Sequence, residues 1–293
     1  MSRVLALDLG GTHLRAGLAA ANEAASVQTI GRWPAPRDME SFRVLLGEIV
    51  ASRGPFDRVG LAVPGLVEET RCRWIPNLPW LDGVDLADLV AGAPLALGND
   101  SQLALLAEAT HGAAAGLSDA ILLSIGTGIG SAVLSGGRIV KGAAGGACSF
   151  GWACADMADQ GRHKDGWLER MAAGRAFDAA AVKTFGAADG AALIAAARAG
   201  DQAAIEAIAK PAAAIGTALA GAVALLDPQA ILFTGGVAES LDALAPAILA
   251  ALRRHLPPHL KRVALRAGRF SGSAALIGAA IAGAAGRDWR SLR

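Results

Sequence analysis

The stretch Leu5-Ala6-Leu7-Asp8-Leu9-Gly10-Gly11-Thr12-His13-Leu14-Arg15-Ala16-Gly17-Leu18 restricts the possible fold more than any other in the chain. An apolar run leads into an acid, a Gly-Gly-Thr turn and a second apolar run, which predicts two strands joined by a tight hairpin. Adjacent glycines let the backbone turn and leave its N–H groups uncovered, which suits an anion such as a phosphate. Asp8 stands just before them, where a carboxylate can hold a magnesium ion directly or through water. The same stretch also fits an ordinary N-terminal hairpin with Asp8 as a turn residue.

Beyond the hairpin, Trp33-Pro34-Ala35-Pro36 is a break, and Met39 to Arg53 follows with Phe42, Leu45, Leu46, Ile49 and Val50 at helical spacing. Asp57 to Gly65 predicts a buried strand closed by a Pro-Gly turn, which makes the order α/β. In Trp74-Ile75-Pro76-Asn77-Leu78-Pro79-Trp80 the aromatics either line a ligand or cap a core edge. Pro94 to Asp100 is a short strand ending in Asn99 and Asp100, and Ser101 to His111 is a helix. Both polar residues suit a helix N-cap; they also stand where open α/β sheets place their ligands.

Ala120 to Ser135, centred on Gly126-Thr127-Gly128-Ile129-Gly130, repeats the strand, Gly/Thr turn and strand about 115 residues later. Two such hairpins imply an internal duplication. The expected domains are 1–112 and 113–280, with a final helix at about 280–293 packing on the first. Cys148 to Glu169 is irregular and polar, with Gln160 to Gly166 as a surface loop. Ala-rich helix fills Leu168 to Leu226, broken near Gly186 to Gly190 and at Gly200. Gln229 to Val237 is a third strand ending in a Gly turn, Gly235-Gly236, that opens onto a helix from about Ser240 to Leu256. Backbone N–H groups at such a helix start favour anions or the polar edge of a nucleotide. Lys261 to Arg266 is a last strand.

With 293 residues, 53% hydrophobic and 18% charged, the chain can bury a large core without staples and is not of the disordered class. A net charge of +1 without a basic block argues against nucleic acid or an anionic membrane as partner. Cys72, Cys148 and Cys154 are too few and too scattered for a disulfide framework. No signal peptide precedes the first strand, and the apolar runs Pro211 to Leu226 and Ser273 to Gly286 fall short of a membrane span. The expectation is a cytoplasmic protein acting on a small molecule.

In this order and spacing the motifs resemble those of sugar kinases of the actin/hexokinase-like superfamily, most closely the ROK family (repressors, open reading frames, kinases). The resemblance covers nearly the whole chain. It implies an α/β, actin-like or ribonuclease H-like ATPase fold, with two domains around a central cleft. Asp8-Leu9-Gly10-Gly11-Thr12 resembles the family's first phosphate loop, and Gly126-Thr127-Gly128-Ile129-Gly130 its second. Thr234-Gly235-Gly236 resembles its adenosine loop, Val63-Pro64-Gly65 and Pro76-Asn77-Leu78 its sugar-side loops, and Asn99-Asp100 its catalytic pair. By this likeness Gly10, Gly11, Thr12, Gly126, Thr127, Gly128, Gly235 and Gly236 would hold ATP, and Asp8 would hold Mg²⁺ through water. Asp100 would be the general base, a carboxylate of near-normal acidity, with Gly65, Asn77 and Asn99 on the acceptor. The family precedent is a homodimer.

The chain departs from the family where the acceptor is gripped. Ser149-Phe150-Gly151-Trp152 stands in place of a Glu-x-Gly-His motif, so Ser149 replaces the glutamate and Trp152 the histidine. The family's Cys-rich zinc motif is missing and Trp167 takes the place of its last cysteine, so no zinc is expected. Glu169 matches a family glutamate that reaches the sugar; its plainer reading is an exposed acid in a first helical turn. Trp152 either packs on a sugar or cyclitol ring or fills the volume of the absent zinc lobe. Losing a charged acceptor removes about 1.5–3 kcal/mol from a hydroxyl contact, so a glucose-like hexose should bind less tightly unless Ser149 and a water compensate. The resemblance therefore implies ATP-dependent phosphorylation of a hexose or hexose-like sugar. An amino sugar, cyclitol or other polyol is the alternative acceptor, and a sugar-binding pseudoenzyme the alternative role. The first strand begins at about Val4 with no basic recognition helix before it, so a repressor is not expected.

Overall fold

Two five-stranded sheets carry the chain, and both are built in the same order. The computed structural model describes residues 2–147, 149–186 and 189–291, so Cys148 lies outside the described residues. The first half holds β1 (Arg3–Leu9), β2 (His13–Ala20), β3 (Gln28–Pro34), α1 (Met39–Arg53), β4 (Arg58–Val63), β5 (Leu66–Glu68), β6 (Arg71–Trp74), β7 (Leu95–Asn99) and α2 (Asp100–His111). Then come β8 (Ala120–Ile125), β9 (Ile129–Ser135), β10 (Arg138–Ile139), α3 (Trp167–Ala172), α4 (Gly174–Phe185) and α5 (Gly190–Arg198). The chain continues through α6 (Gln202–Leu226), β11 (Ala230–Thr234), α7 (Leu241–Arg254), β12 (Ala264–Ala267) and α8 (Ala274–Ala285).

The first sheet runs β3-β2-β1-β4-β7 and the second β10-β9-β8-β11-β12. In the first, an antiparallel β1–β2 hairpin is followed by the parallel pairs β1–β4 and β4–β7. In the second, β8–β11 and β11–β12 are likewise parallel. The expected recurrence of one supersecondary unit is therefore visible strand by strand.

Contacts divide the chain into two units: Met1–Gly116 with Ala132–Cys148 and Ser273–Arg293, and Leu117–Ser131 with Ser149–Gly272. The boundary falls inside β9. In the first unit, β1 is buried from Val4 to Leu9 because helices cover both faces of the sheet. Leu5, Leu7, Leu9, Val59, Leu61 and Val63 pack with Phe42, Leu46 and Ile49 of α1. That helix starts at a capping box in which Asp38 accepts from the Ser41 N–H and the Asp38 N–H donates to the Ser41 hydroxyl. The opposite face takes α8 at very short range: a Cβ on Gly60 would lie 1.7 Å from the Ala279 carbonyl oxygen.

In the second unit α6 packs against α3, α4, α5 and α7. This helix begins just after the break expected at Gly200 and extends beyond the apolar run Pro211 to Leu226. It has 25 residues, and Pro211 lies inside it. Its length and composition would suffice to cross a membrane, but half of its most apolar window is buried by the helices packed on it. Two boundaries move. The last helix is Ala274–Ala285 rather than about 280–293, and the last strand starts at Ala264 rather than Lys261.

Candidate functional site

The first unit gathers polar groups at the C-terminal ends of three neighbouring parallel strands. Asp8 pairs across β1–β4 with Ala62, and the next residue of β4, Val63, pairs with Asn99 at the end of β7. Strand ends are where backbone ladders stop and side chains can face a ligand.

Asn99 is buried and heavily engaged. Its Oδ1 accepts from the N–H groups of Ser101 (2.9 Å) and Gln102 (3.3 Å), capping α2, and its Nδ2 donates to the Gly65 carbonyl at 3.0 Å. The cap and the link to Gly65 leave one N–H of the amide for anything else. Asp100 follows as the first helical residue, its Oδ1 accepting from the Ser101 N–H at 2.7 Å. Burial and the charge of Asp8 push its pKa up to about 6, against the lowering effect of the Ser101 hydrogen bonds. A near-normal acidity was the expectation; two carboxylates near each other in a desolvated place overturn it.

Asp8 is 6% exposed. Burial raises its pKa, opposed by the charge and hydrogen bond of Arg15. Arg15 stands directly opposite it in the β1–β2 register, with Nη2 at 2.5 Å from Oδ2. The sequence reading missed this partner, although an opposite charge seven residues on, across a four-residue turn, is a readable signal. Arg15 in turn faces Arg32 on β3. The turn closes with the Gly10 N–H donating to the His13 carbonyl at 2.9 Å. Gly11 and Thr12 are exposed, and a Cβ on Gly11 would come within 3.0 Å of the Asn77 Cβ. The first unit thus brings together Asp8, Gly10, Gly11, Thr12, Gly65, Asn77, Asn99 and Asp100.

The second unit gathers the other candidates around the Gly126–Gly130 turn. Gly126 and Thr127 are exposed at its tip. The Gly126 N–H donates to the Gly128 carbonyl at 3.0 Å, and the Gly126 carbonyl accepts from the Gly174 N–H at 2.7 Å, at the start of α4. Glu169 is only half-buried, yet it is placed: Oε2 accepts from the Ile129 N–H at 3.1 Å, and Oε1 lies 3.6 Å from Arg175. Its carboxylate fills the space a side chain on Gly128 would need, 2.8 Å from that Cβ position. Sequence reasoning did not foresee that Glu169 braces this turn, nor that Gly174 supports it.

Gly235 has φ +78°, and a Cβ there would lie 2.5 Å from the Ile125 carbonyl oxygen, so glycine is required on both counts. The Thr234 hydroxyl before it is buried and has no hydrogen-bond partner among the described residues. The helix after this turn begins within one residue of the expected Ser240. A short 3₁₀ turn, Ala238–Ser240, intervenes, and α7 starts at Leu241. The N-terminal N–H groups of α7 therefore stand one turn away from Gly235 and Gly236. Ser149 and Trp152 lie on exposed backbone beside β9, where the Phe150 N–H donates to the Ser131 hydroxyl at 3.0 Å. Among the described residues no three His, Cys, Asp or Glu side chains are grouped to hold a metal.

Residues 4–284 match the family profile described as ROK family. An N-acetylmannosamine kinase from Citrobacter koseri is 30% identical over 94% of this chain and 97% of its own length. A ROK hexokinase from Thermus thermophilus is 30% identical, with a TM-score of 0.79 over 96% of this chain and 97% of that one. A ROK glucokinase from Streptomyces griseus, solved with glucose and AMPPNP, is 26% identical, with a TM-score of 0.81 over 97% of this chain and 100% of that one. The doubled sheet order, the full-length match and these likenesses agree: the chain has the actin-like ATPase fold and belongs to the ROK family of sugar kinases.

Proposed function

We propose that this chain transfers the γ-phosphoryl group of ATP to a hydroxyl of a hexose or hexose-like sugar, with Asp100 as general base. The observation that carries the reading is the placement of Asp100 at the end of β7, beside Asp8, in a chain that matches a kinase family from end to end. Asp100 accepts the hydroxyl proton while the new O–P bond forms and the bond from phosphorus to the bridging oxygen of ADP breaks. In a loose transition state the proton leaves late, so the carboxylate's first task is to orient the hydroxyl. A pKa of about 6 leaves it charged at neutral pH and makes it a better base than an ordinary aspartate.

The N–H groups of Gly11 and Thr12 and of Thr127 and Gly128, with the Thr12 and Thr127 hydroxyls, suit phosphate oxygens, while the N–H groups of Gly10 and Gly126 close the two turns. Thr234, Gly235 and Gly236 suit the nucleoside, to which the buried Thr234 hydroxyl offers a donor. The donor set at Asp8 fits Mg²⁺, an ion that keeps most of its waters and takes the rest of its ligands from phosphates. When bound, the ion would neutralise phosphate charge; Asp8 would hold it, and the ion pair with Arg15 favours the Asp8 carboxylate against its burial. In the first unit Asn77, Gly65 and the last N–H of Asn99 suit acceptor hydroxyls; in the second, Glu169, Ser149 and Trp152 are the candidates for acceptor contact.

The 30% identity to an N-acetylmannosamine kinase over 94% of the chain supports an N-acylated hexosamine among the acceptors. The decisive experiment measures ADP release with Mg·ATP over hexoses, N-acylated amino sugars and cyclitols. Turnover on a hexose or hexosamine is the expected result. Nucleotide binding without turnover on any of them favours a sugar-binding pseudoenzyme.

A further inference from the structure

We propose that Arg170 is a positioning residue for acceptor binding: its guanidinium clamps the 153–166 segment onto α3 and so fixes Trp152 and Glu169 relative to the Gly126–Gly130 turn. The claim rests on the reading of Trp152 and Glu169 as acceptor-side residues. It concerns a side chain that no motif marks, in a segment whose composition reads as a loose surface loop.

Arg170 Nη2 donates to Asp159 Oδ2 at 2.6 Å, and Nη1 donates to the Asp165 carbonyl at 2.7 Å and to Asp165 Oδ1 at 3.4 Å. One planar fork thus ties α3 to the segment at two points, using donors that a lysine would supply from a single atom. The three side chains are only 15%, 23% and 25% exposed, unlike a solvated surface pair. Asp159 is itself set by the Gly161 N–H, which donates to its Oδ1 at 2.9 Å. The hydrogen bond from Arg170 also holds the Asp159 carboxyl below the usual carboxylate range.

The tie is transmitted by close packing. Gly166, next to Asp165, lies so near the preceding turn that a Cβ on it would be 2.2 Å from the Gly151 carbonyl oxygen and 2.5 Å from the Trp152 Cα. A Cβ on Gly151 would in turn be 2.7 Å from the Ile129 carbonyl oxygen, and the Ile129 N–H donates to Glu169, the residue before Arg170. The Leu168 N–H closes the ring by donating to the Ala153 carbonyl at 3.2 Å. Arg170, Asp165, Gly166, Trp152, Ile129 and Glu169 therefore form one connected ring, and the ion pairs are the part of it that depends on side-chain charge.

The test combines trypsin cleavage with steady-state kinetics on the full chain. Arg162 and Lys164 are exposed in the clamped segment and serve as reporters of its opening. In Arg170→Met, cleavage after these residues should speed up about tenfold, and the acceptor KM should rise about tenfold while the ATP KM stays within about twofold. Arg170→Lys should recover part of both effects, and Asp159→Asn, which leaves α3 untouched, should move both in the same direction. Unchanged cleavage in Arg170→Met overturns the clamp. Faster cleavage with an unchanged acceptor KM, or with acceptor and ATP KM rising together, overturns the positioning role. Absence of turnover in the wild-type chain instead fails the kinase reading, a result that the cleavage rates cannot mimic.

Discussion

At Asp100 the fold holds a charge that burial and a second carboxylate both oppose. Its pKa of about 6 lies above the ordinary 3.8, so between those values the folded state binds more protons than the unfolded chain. Stability contributed by this group is therefore full below about pH 4 and is lost as pH rises through about 6. Asp100→Asn removes the charge and should stabilise the protein by about 1–3 kcal/mol at pH 8, with the gain in melting midpoint shrinking as pH falls toward 4. The same variant should lose about 10²–10⁴-fold in kcat. A variant that is no more stable at pH 8 than the wild type contradicts the strained-charge account; near-normal turnover removes Asp100 as base. In the wild type, kcat/KM should fall as pH drops below about 6. The positions of Asp8 and Asp100 were legible because an acid after an apolar run, before glycines or a helix, marks a strand end. Their coupling was not, because burial and the proximity of strands β1 and β7 depend on β4 lying between them.

Elements were legible where punctuation was strong. Gly-Gly-Thr and Gly-Thr-Gly turns between apolar runs gave both hairpins, and apolar spacing gave α1 with its observed ends. α6 starts just after the break expected at Gly200 and reaches back beyond the apolar run Pro211 to Leu226, because its first ten residues, with the charges Glu206 and Lys210, are helical too. Gln160 to Gly166 is the surface loop its polar composition implied, but that composition did not show that Arg170 fastens it at Asp165 and, just before it, at Asp159. Glycines within one helix show what sequence cannot weigh. Gly216 and Gly221 both lie in α6, where replacing glycine by alanine gains about 1 kcal/mol of helix propensity. At Gly221, apart from its chain neighbours and the adjacent backbone of α6, no atom of the described residues lies within 4 Å of the new Cβ. Gly221→Ala should therefore stabilise by about 0.5–1 kcal/mol. At Gly216 the Cβ would sit 2.2 Å from the Ile248 carbonyl oxygen of α7, a backbone atom that cannot swing aside. Gly216→Ala should destabilise by about 1–3 kcal/mol. Denaturant midpoints of the two variants, moving in opposite directions, check the α6–α7 packing; equal shifts refute it.

Across the whole molecule, the two copies of the sheet carry different candidate residues. The copy headed by β1 carries Asp8, Asn99 and Asp100, whereas the copy headed by β8 carries the Gly126 turn, Glu169 and Gly235. Catalysis and nucleoside binding should then separate by mutation. A ligand that binds only the folded state at about 100 times its Kd stabilises it by about 2.7 kcal/mol. Mg·AMPPNP should therefore raise the melting midpoint of the wild type, and of Asp100→Asn by a similar amount, because that carboxylate is proposed to meet the acceptor and not the nucleotide. Gly235→Ala is the opposite case. Its φ of +78° strains any side chain, and the Cβ meets the Ile125 carbonyl oxygen at 2.5 Å, at the residue that leads into the Gly126 turn. Relief of that contact has to move the end of β11 or of β8, and either shift displaces the N–H groups proposed to meet the nucleotide. Gly235→Ala should lose most of the Mg·AMPPNP stabilisation, beyond the drop in its own midpoint. The midpoint shift with and without nucleotide measures this directly. A full shift in Gly235→Ala, or a lost shift in Asp100→Asn, would contradict the division of labour between the two copies.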